Sequence, residues 1–220
     1  MDDYMSLLLL SKGLLFEIAL VIFIFGVLLR LFEIFSLGRK KDLSEPKANP
    51  TIIGIKTIFT RSIPSYEMMT KRGFLIVNGI IFHVGLFIVV FLLAPHITVI
   101  DRLIDLSWSP LSSQIINFAT VVTIFSMIVI LVHRFTHPVM KALTTSGDYV
   151  AWIVTFLPII SGYMAYNHLL LPYNLILALH ILSVDLLLIV LPFSKLSHSF
   201  TFFMARYYSG TISGRKGVQL

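Results

Sequence analysis

The chain has 220 residues and no cysteine. That excludes an iron–sulfur cluster held by this chain, covalent attachment of a c-type haem and any disulfide. Charge is scarce too. Only 13% of residues are Asp, Glu, Lys or Arg, against 57% hydrophobic, where a soluble domain carries about 25% charged residues. So few charges cannot coat a globule of this size, and lipid is expected to face most of the surface. There is no internal repeat and no low-complexity segment. The opening residues, Met1-Asp2-Asp3-Tyr4, are acidic where a signal peptide is basic. No small-residue cleavage site follows the first apolar run, which is therefore expected to stay as a helix.

What the chain has in abundance is long apolar runs. Five are long enough to cross a hydrocarbon core of ~30 Å, which takes roughly 20 helical residues. They fall at about 8–35 (opening at Leu8 or Leu14), 74–96, 113–132, 149–168 and 172–203. The last is apolar from Pro172 to Pro192, with a helical continuation expected through Phe203. The runs are continuous, whereas a membrane barrel shows short alternating segments. The expected fold is therefore all-α: an integral membrane bundle of five transmembrane helices forming a single domain over 1–220, with a loop at 38–72 and a tail at 204–220.

Lys and Arg orient the bundle, because cytoplasmic connections are enriched in them. Nine lie between Arg30 and Arg72: those two with Arg39, Lys40, Lys41, Lys47, Lys56, Arg61 and Lys71. Arg134 and Lys141 separate the third and fourth runs, and Lys195, Arg206, Arg215 and Lys216 follow the fifth. Five spans put all of these on one side and leave only Lys12 and Arg102, with Asp2, Asp3, Asp101 and Asp105, on the other. The expectation is an N-terminus outside, a cytoplasmic C-terminus and a multi-pass place in a prokaryotic cell (inner) membrane. The net charge of +6 is then a topology signal, and no nucleic acid is expected as a partner.

Seven histidines stand in this apolar chain, and ionisable residues inside a membrane are costly and usually functional. His180 and His198 lie 18 residues apart on the expected fifth helix. That is five turns, ~27 Å of rise and one shared face, the placement of two redox centres stacked across a bilayer. His83 and His96 lie on the antiparallel second helix, so His83 is expected to face His198 and His96 to face His180. Each pair of imidazoles would hold a haem b iron, with Gly79 and Gly85 leaving room beside His83 and with Ser183 and Ser194 as hydrogen-bonding support. The spacing from His83 to His96 fits less well, at ~20 Å of rise and about 140° of rotation on an ideal helix. Pro95 is the residue able to re-aim His96. His133 and His137 form an i, i+4 pair that suits a metal, but Pro138 disfavours helix at His137. A membrane histidine also serves simply to bond a neighbouring helix.

At these residues the chain resembles the membrane cytochromes b of the nitrate reductase gamma subunit family. It looks closest to the branch in sulfite-reduction-associated membrane complexes. The matching stretches are Phe82-His83-Val84-Gly85, Thr144-Thr145-Ser146-Gly147-Asp148-Tyr149, Leu179-His180, and Leu191-Pro192-Phe193-Ser194-Lys195-Leu196-Ser197-His198. The resemblance implies five helices and two b haems, one near each leaflet. By motif His83 and His198 are inner-haem ligands and His180 an outer-haem ligand. Quinone, menaquinone or ubiquinone, would react near the outer haem, and the inner haem would face a cytoplasmic iron–sulfur subunit resembling heterodisulfide reductase. In the nitrate reductase pattern the second histidine of span two comes ten residues after the first. This chain has Leu93 there, and His96 is the substitute.

Other polar residues complete the candidate set. Glu17 in the first span, Asp185 five residues beyond His180 and His168 at the outer end of the fourth span are candidates for quinone or proton exchange. Asp101 near His96 is a weaker one. Arg30, Arg72, Arg134 and Lys195 at the inner boundary are able to pair with haem propionates, besides serving as positive-inside anchors. Residues Ile52-Ile53-Gly54-Ile55 and Thr57-Ile58-Phe59 are apolar enough to lie on a membrane or a partner. They and the tail from Tyr207 to Leu220 are expected to contact the iron–sulfur partner. The competing expectations are a histidine-lined transporter, which needs a polar path and mid-membrane helix breaks, and a plain membrane anchor without haem.

Overall fold

The computed structural model of the chain describes residues 3–37 and 43–218. Arg39, Lys40 and Lys41, part of the basic run read from the sequence, lie outside them. The described residues are mostly helical, with no strand among them. Five helices are long and apolar enough to cross a membrane: Tyr4–Ser36, Tyr66–Leu92, Ser113–Thr136, Ser146–Tyr166 and Tyr173–Phe193.

The first span joins α1 (Asp3–Leu10) to α2 (Phe16–Ser36) through a π-helical turn at Ser11–Leu15, where Gly13 takes φ −100°, ψ −107°. The buried Ser11 hydroxyl donates to the Leu8 carbonyl at 3.0 Å. α3 (Pro50–Thr60) starts where it must: Pro50 sits in the first turn, and the Asn49 side chain accepts from the N–H groups of Thr51 and Ile52. That satisfies two of the donors every helix start leaves open. α4 (Tyr66–Leu92), α5 (Ala94–Ile104), α6 (Ser113–Thr136), α7 (Pro138–Leu143), α8 (Ser146–Tyr166), α9 (Tyr173–Val190) and α10 (His198–Lys216) follow.

Three expectations are corrected here. The second span ends at Leu92, because Leu93 is extended (φ −85°, ψ 127°) and Pro95 opens a new helix. His96 is thus in the first turn of α5 rather than at the end of span two. The fifth span does not run on through Phe203. Pro192 falls in a short 3-10 turn, Leu191–Phe193, Ser194 is extended, and a second 3-10 turn, Lys195–Ser197, precedes α10. Proline lacks the N–H that would continue the helix. His180 and His198 therefore stand on different helices, and five unbroken turns cannot place them on one face. Third, the loop at 38–72 and the tail at 204–220 hold α3, the start of α4 and most of α10.

The chain divides into two compact units, residues 1–19 with 72–187 and residues 20–71 with 188–220. In the first, polar side chains stitch the spans together. Asn78 of α4 donates to the Ser126 carbonyl (3.2 Å) and Ser126 Oγ returns a bond to the Asn78 carbonyl (3.1 Å). Trp152 of α8 donates to the Met127 carbonyl of α6 at 3.0 Å. Gly85 lets α4 approach α6 at Thr123, where a Cβ would collide with the threonine hydroxyl. Its role is helix packing, which corrects the expectation that it makes room beside His83. Gly79 does face open space.

In the second unit α3 packs along α10 through small residues. An added Cβ on Gly210 would strike Thr57, one on Gly54 would meet Tyr207 and Thr211, and one on Gly214 would meet Ile53, all under 3.0 Å. Arg206 of α10 ties down the end of α3, donating to Ser62 Oγ at 2.6 Å and to the Ile58 carbonyl at 3.3 Å. Burial first and the like charge of Arg61 second lower the pKa of this guanidinium. Gly26 of α2 leaves space for Pro192 and Phe193, and Arg30 Nε donates to the Pro192 carbonyl at 3.1 Å.

Candidate functional site

The first unit brings two of the singled-out histidines together. Breaking the helix at Leu93 turns His96 back on the last turn of α4, where its Nδ1 lies 3.0 Å from the Val89 carbonyl. His180, on α9, places its Nδ1 3.0 Å from the Pro158 carbonyl of α8. Carbonyls only accept, so in both rings Nδ1 carries the proton and Nε2 keeps its lone pair. The two rings face one another with centroids 6.1 Å apart and planes within 14° of parallel. The Ser161 hydroxyl sits 3.4 Å from His180 Nδ1 and 3.2 Å from Ser183 Oγ, itself bonded to the His180 carbonyl at 2.6 Å.

Two residues outside the expected set make this possible. Gly162 is where His180 lies against α8: an added Cβ would stand 2.9 Å from its Cε1 and 3.1 Å from its Nδ1. Pro158, one turn earlier, supplies the carbonyl. A proline and a glycine four residues apart, hence on one helix face, inside an apolar span were the signal available in the sequence.

The distance between the two rings is near that of two imidazoles sharing one metal. Two imidazoles bound through Nε2 at about 2.0–2.1 Å have ring centroids about 6.3 Å apart, close to the 6.1 Å found. The carbonyl bond on the other nitrogen is the usual support of a ligating imidazole. Among the described residues no group of three or more His, Asp or Glu side chains is arranged for a metal ion. A porphyrin, which brings four nitrogens of its own, asks the protein for two.

His83 and His198 show the same local preparation. His83 Nδ1 is 2.7 Å from the Gly79 carbonyl, and His198 Nδ1 is 2.8 Å from the Lys195 carbonyl. His83 belongs to the first unit and His198 to the second. The remaining candidates are dispersed. The His133 and His137 rings lie 4.9 Å apart, tilted by 37°, and His133 meets Phe74 at 4.8 Å in an open groove of about 420 Å³ lined otherwise by α6 side chains. His168, with φ 54°, lies by the Tyr173 ring at 4.8 Å. Glu17 is exposed on α2. Asp185 is 5% exposed, and neither carboxylate oxygen has a hydrogen-bond partner.

Two of the boundary cations form ion pairs within the chain. Arg30 pairs with Glu33 at 2.8 Å, and Arg134 pairs with Asp148 at 3.4 Å. Asp148 also accepts from the N–H and hydroxyl of Thr145, at 2.9 and 2.8 Å. The Thr144–Tyr149 stretch thus starts α8 and anchors Arg134 at once. Arg72 is exposed at a non-helical point of α4 (φ −138°, ψ 21°), and Lys195 is exposed in its 3-10 turn.

Fold and site together define a multi-pass helical membrane protein with two prepared imidazoles paired between α5 and α9. A curated protein of Nitratidesulfovibrio vulgaris (strain Hildenborough), named only "Protein", is 32% identical over 136 residues, 62% of this chain and 60% of that one. The chain thus spans less than two thirds of that relative's length. No family model matches the chain, and no solved structure does.

Proposed function

We propose that the chain is a di-haem b membrane subunit that transfers electrons between membrane quinone, menaquinone or ubiquinone, and a cytoplasmic iron–sulfur subunit resembling heterodisulfide reductase. The observation that carries this reading is the His96–His180 pair, with rings 6.1 Å apart, near-parallel planes and both Nδ1 atoms bonded to carbonyls. With both axial positions filled by imidazole, a haem exchanges electrons without binding substrate.

The chain's own part is positioning. His96 and His180 would hold the outer haem, in place of the family's pairing through the position of Leu93. His83 and His198 carry over by resemblance as the inner pair. The Val89 and Pro158 carbonyls fix each ring's tautomer and raise the basicity of Nε2. Asp185, whose carboxylate oxygens are buried without a partner, would take up a quinol proton, with Glu17 and His168 as exposed alternatives. Arg72 and Lys195, exposed cations, would serve the propionates. The reading puts the N-terminus outside and the C-terminus, with the iron–sulfur partner, in the cytoplasm of a prokaryotic cell.

The test is a reduced-minus-oxidised absorption spectrum of the purified full-length chain. A sharp α-band is expected, with about two irons per chain. His96→Ala and His180→Ala should each remove the same haem and leave the other. Absence of an α-band from the unmodified chain would sink the proposal and favour a transporter or a bare anchor.

A further inference from the structure

α3 has two unlike edges. Gly54 and Thr57 are buried against α10. Ile52 and Phe59 each stand two residues from that edge, about 160° round the helix. They are 62% and 69% exposed, with Ile55 beside them at 51%. No described residue covers this stripe. Basic residues surround the helix. Lys56 is exposed on the same side, Arg61 caps the helix, Lys47 precedes it, and Arg206 and Arg215 reach it or its approach from α10. Among the described residues of this neighbourhood Glu45 is acidic, and Glu67 is paired with Lys71 at 2.6 Å.

We propose that α3 lies flat on an anionic membrane surface, with Ile52, Ile55 and Phe59 in the acyl boundary and the surrounding Lys and Arg among the headgroups. An amphipathic helix with basic flanks binds this way by apolar burial and charge together. Eleven residues make a helix of ~16 Å, far short of the ~30 Å needed to cross. The chain also holds α3 at the bilayer from both sides. It joins the spans Tyr4–Ser36 and Tyr66–Leu92 and stops six residues before the second, so it reaches lipid at high effective concentration. The stripe is aliphatic with one Phe, and lacks the Trp, Tyr and Arg anchors that dominate protein interfaces. These features favour lipid over a protein partner as its cover, independently of any haem.

The chain's lack of cysteine makes the test direct. Single variants Ile52→Cys, Ile55→Cys, Phe59→Cys and, as control, Ala48→Cys carry a nitroxide on the full chain in vesicles containing anionic lipid. Labels at 52, 55 and 59 should be readily reached by oxygen and poorly by a water-soluble nickel chelate, with the reverse at 48. All of these positions are exposed, so the label displaces no packing. Nickel access at 59 equal to that at 48 would overturn the proposal. So would protection of 52, 55 and 59 that occurs only when other proteins of the native membrane are present, which would assign the stripe to a protein partner.

Discussion

Gly162 is the residue on which the aim of His180 depends. The imidazole lies where a side chain at 162 would be, with Cε1 2.9 Å from an added Cβ. Gly162→Ala must push the ring or α8 aside. Overpacking of this kind costs about 1–3 kcal/mol, and a shifted ring no longer faces His96. The expected outcome is loss of the outer haem from the α-band with the inner one kept, plus a lower unfolding temperature. Gly79→Ala is the matched control, because a Cβ there meets nothing within 4 Å, and it should leave both haems in place. Equal spectra for the two variants would separate Gly162 from the site. That His96 and His180 face one another was an expectation of the sequence, since imidazoles in an apolar chain are few, and the structure pairs their rings. Which residues make room for them was not, because the contact between 162 and 180 joins two helices and leaves no mark in the periodicity of either.

At the scale of the element, the break at Leu93 lets His96 meet His180 despite the poor spacing from His83. On one unbroken helix His83 and His96 would be about 140° apart, and His96 would keep the direction set by α4. Ending α4 at Leu92 and restarting at Ala94 frees His96 to fold back on the Val89 carbonyl and toward His180. Pro95 is the chemical reason: it lacks the N–H of a helix interior but suits a first turn. Pro95→Ala makes continuation of α4 possible. The expected result is one haem per chain rather than two, with His83-dependent absorbance intact; two haems in that variant would show that the break is not what aims His96. The sequence carried the five spans plainly because a membrane demands about 20 continuous apolar residues. It did not place the breaks at Leu93 and Ser194, since proline marks a kink and a full stop alike. Nor did it reveal that α3 and α10 pack together. Gly54, Gly210 and Gly214 act as a surface only once two segments far apart in the chain are side by side.

For the whole molecule, charge is distributed as unevenly as the histidines. The described part of the unit holding residues 20–71 and 188–220 carries Arg30, Lys47, Lys56, Arg61, Lys71, Lys195, Arg206, Arg215 and Lys216 against Glu33, Glu45 and Glu67. Glu33 and Glu67 are already paired with Arg30 and Lys71. The described part of the other unit has Lys12, Arg72, Arg102, Arg134 and Lys141 against six acids. With an odd number of spans the two ends of the chain must lie on opposite sides, and Lys and Arg in short connections select the cytoplasmic one. The end of α5 and the segment after it, with Asp101 and Asp105 beside the single Arg102, should then be outside, and the segment between α2 and α3 inside. Ser107→Cys and Ala48→Cys report each side in a chain that has no other thiol. A membrane-impermeant maleimide added to intact cells should label position 107 at once and position 48 only after permeabilisation. The opposite pattern would invert the molecule. The segment joining α5 to α6 would then be inside and the segment joining α2 to α3 outside, contrary to the electron path proposed here.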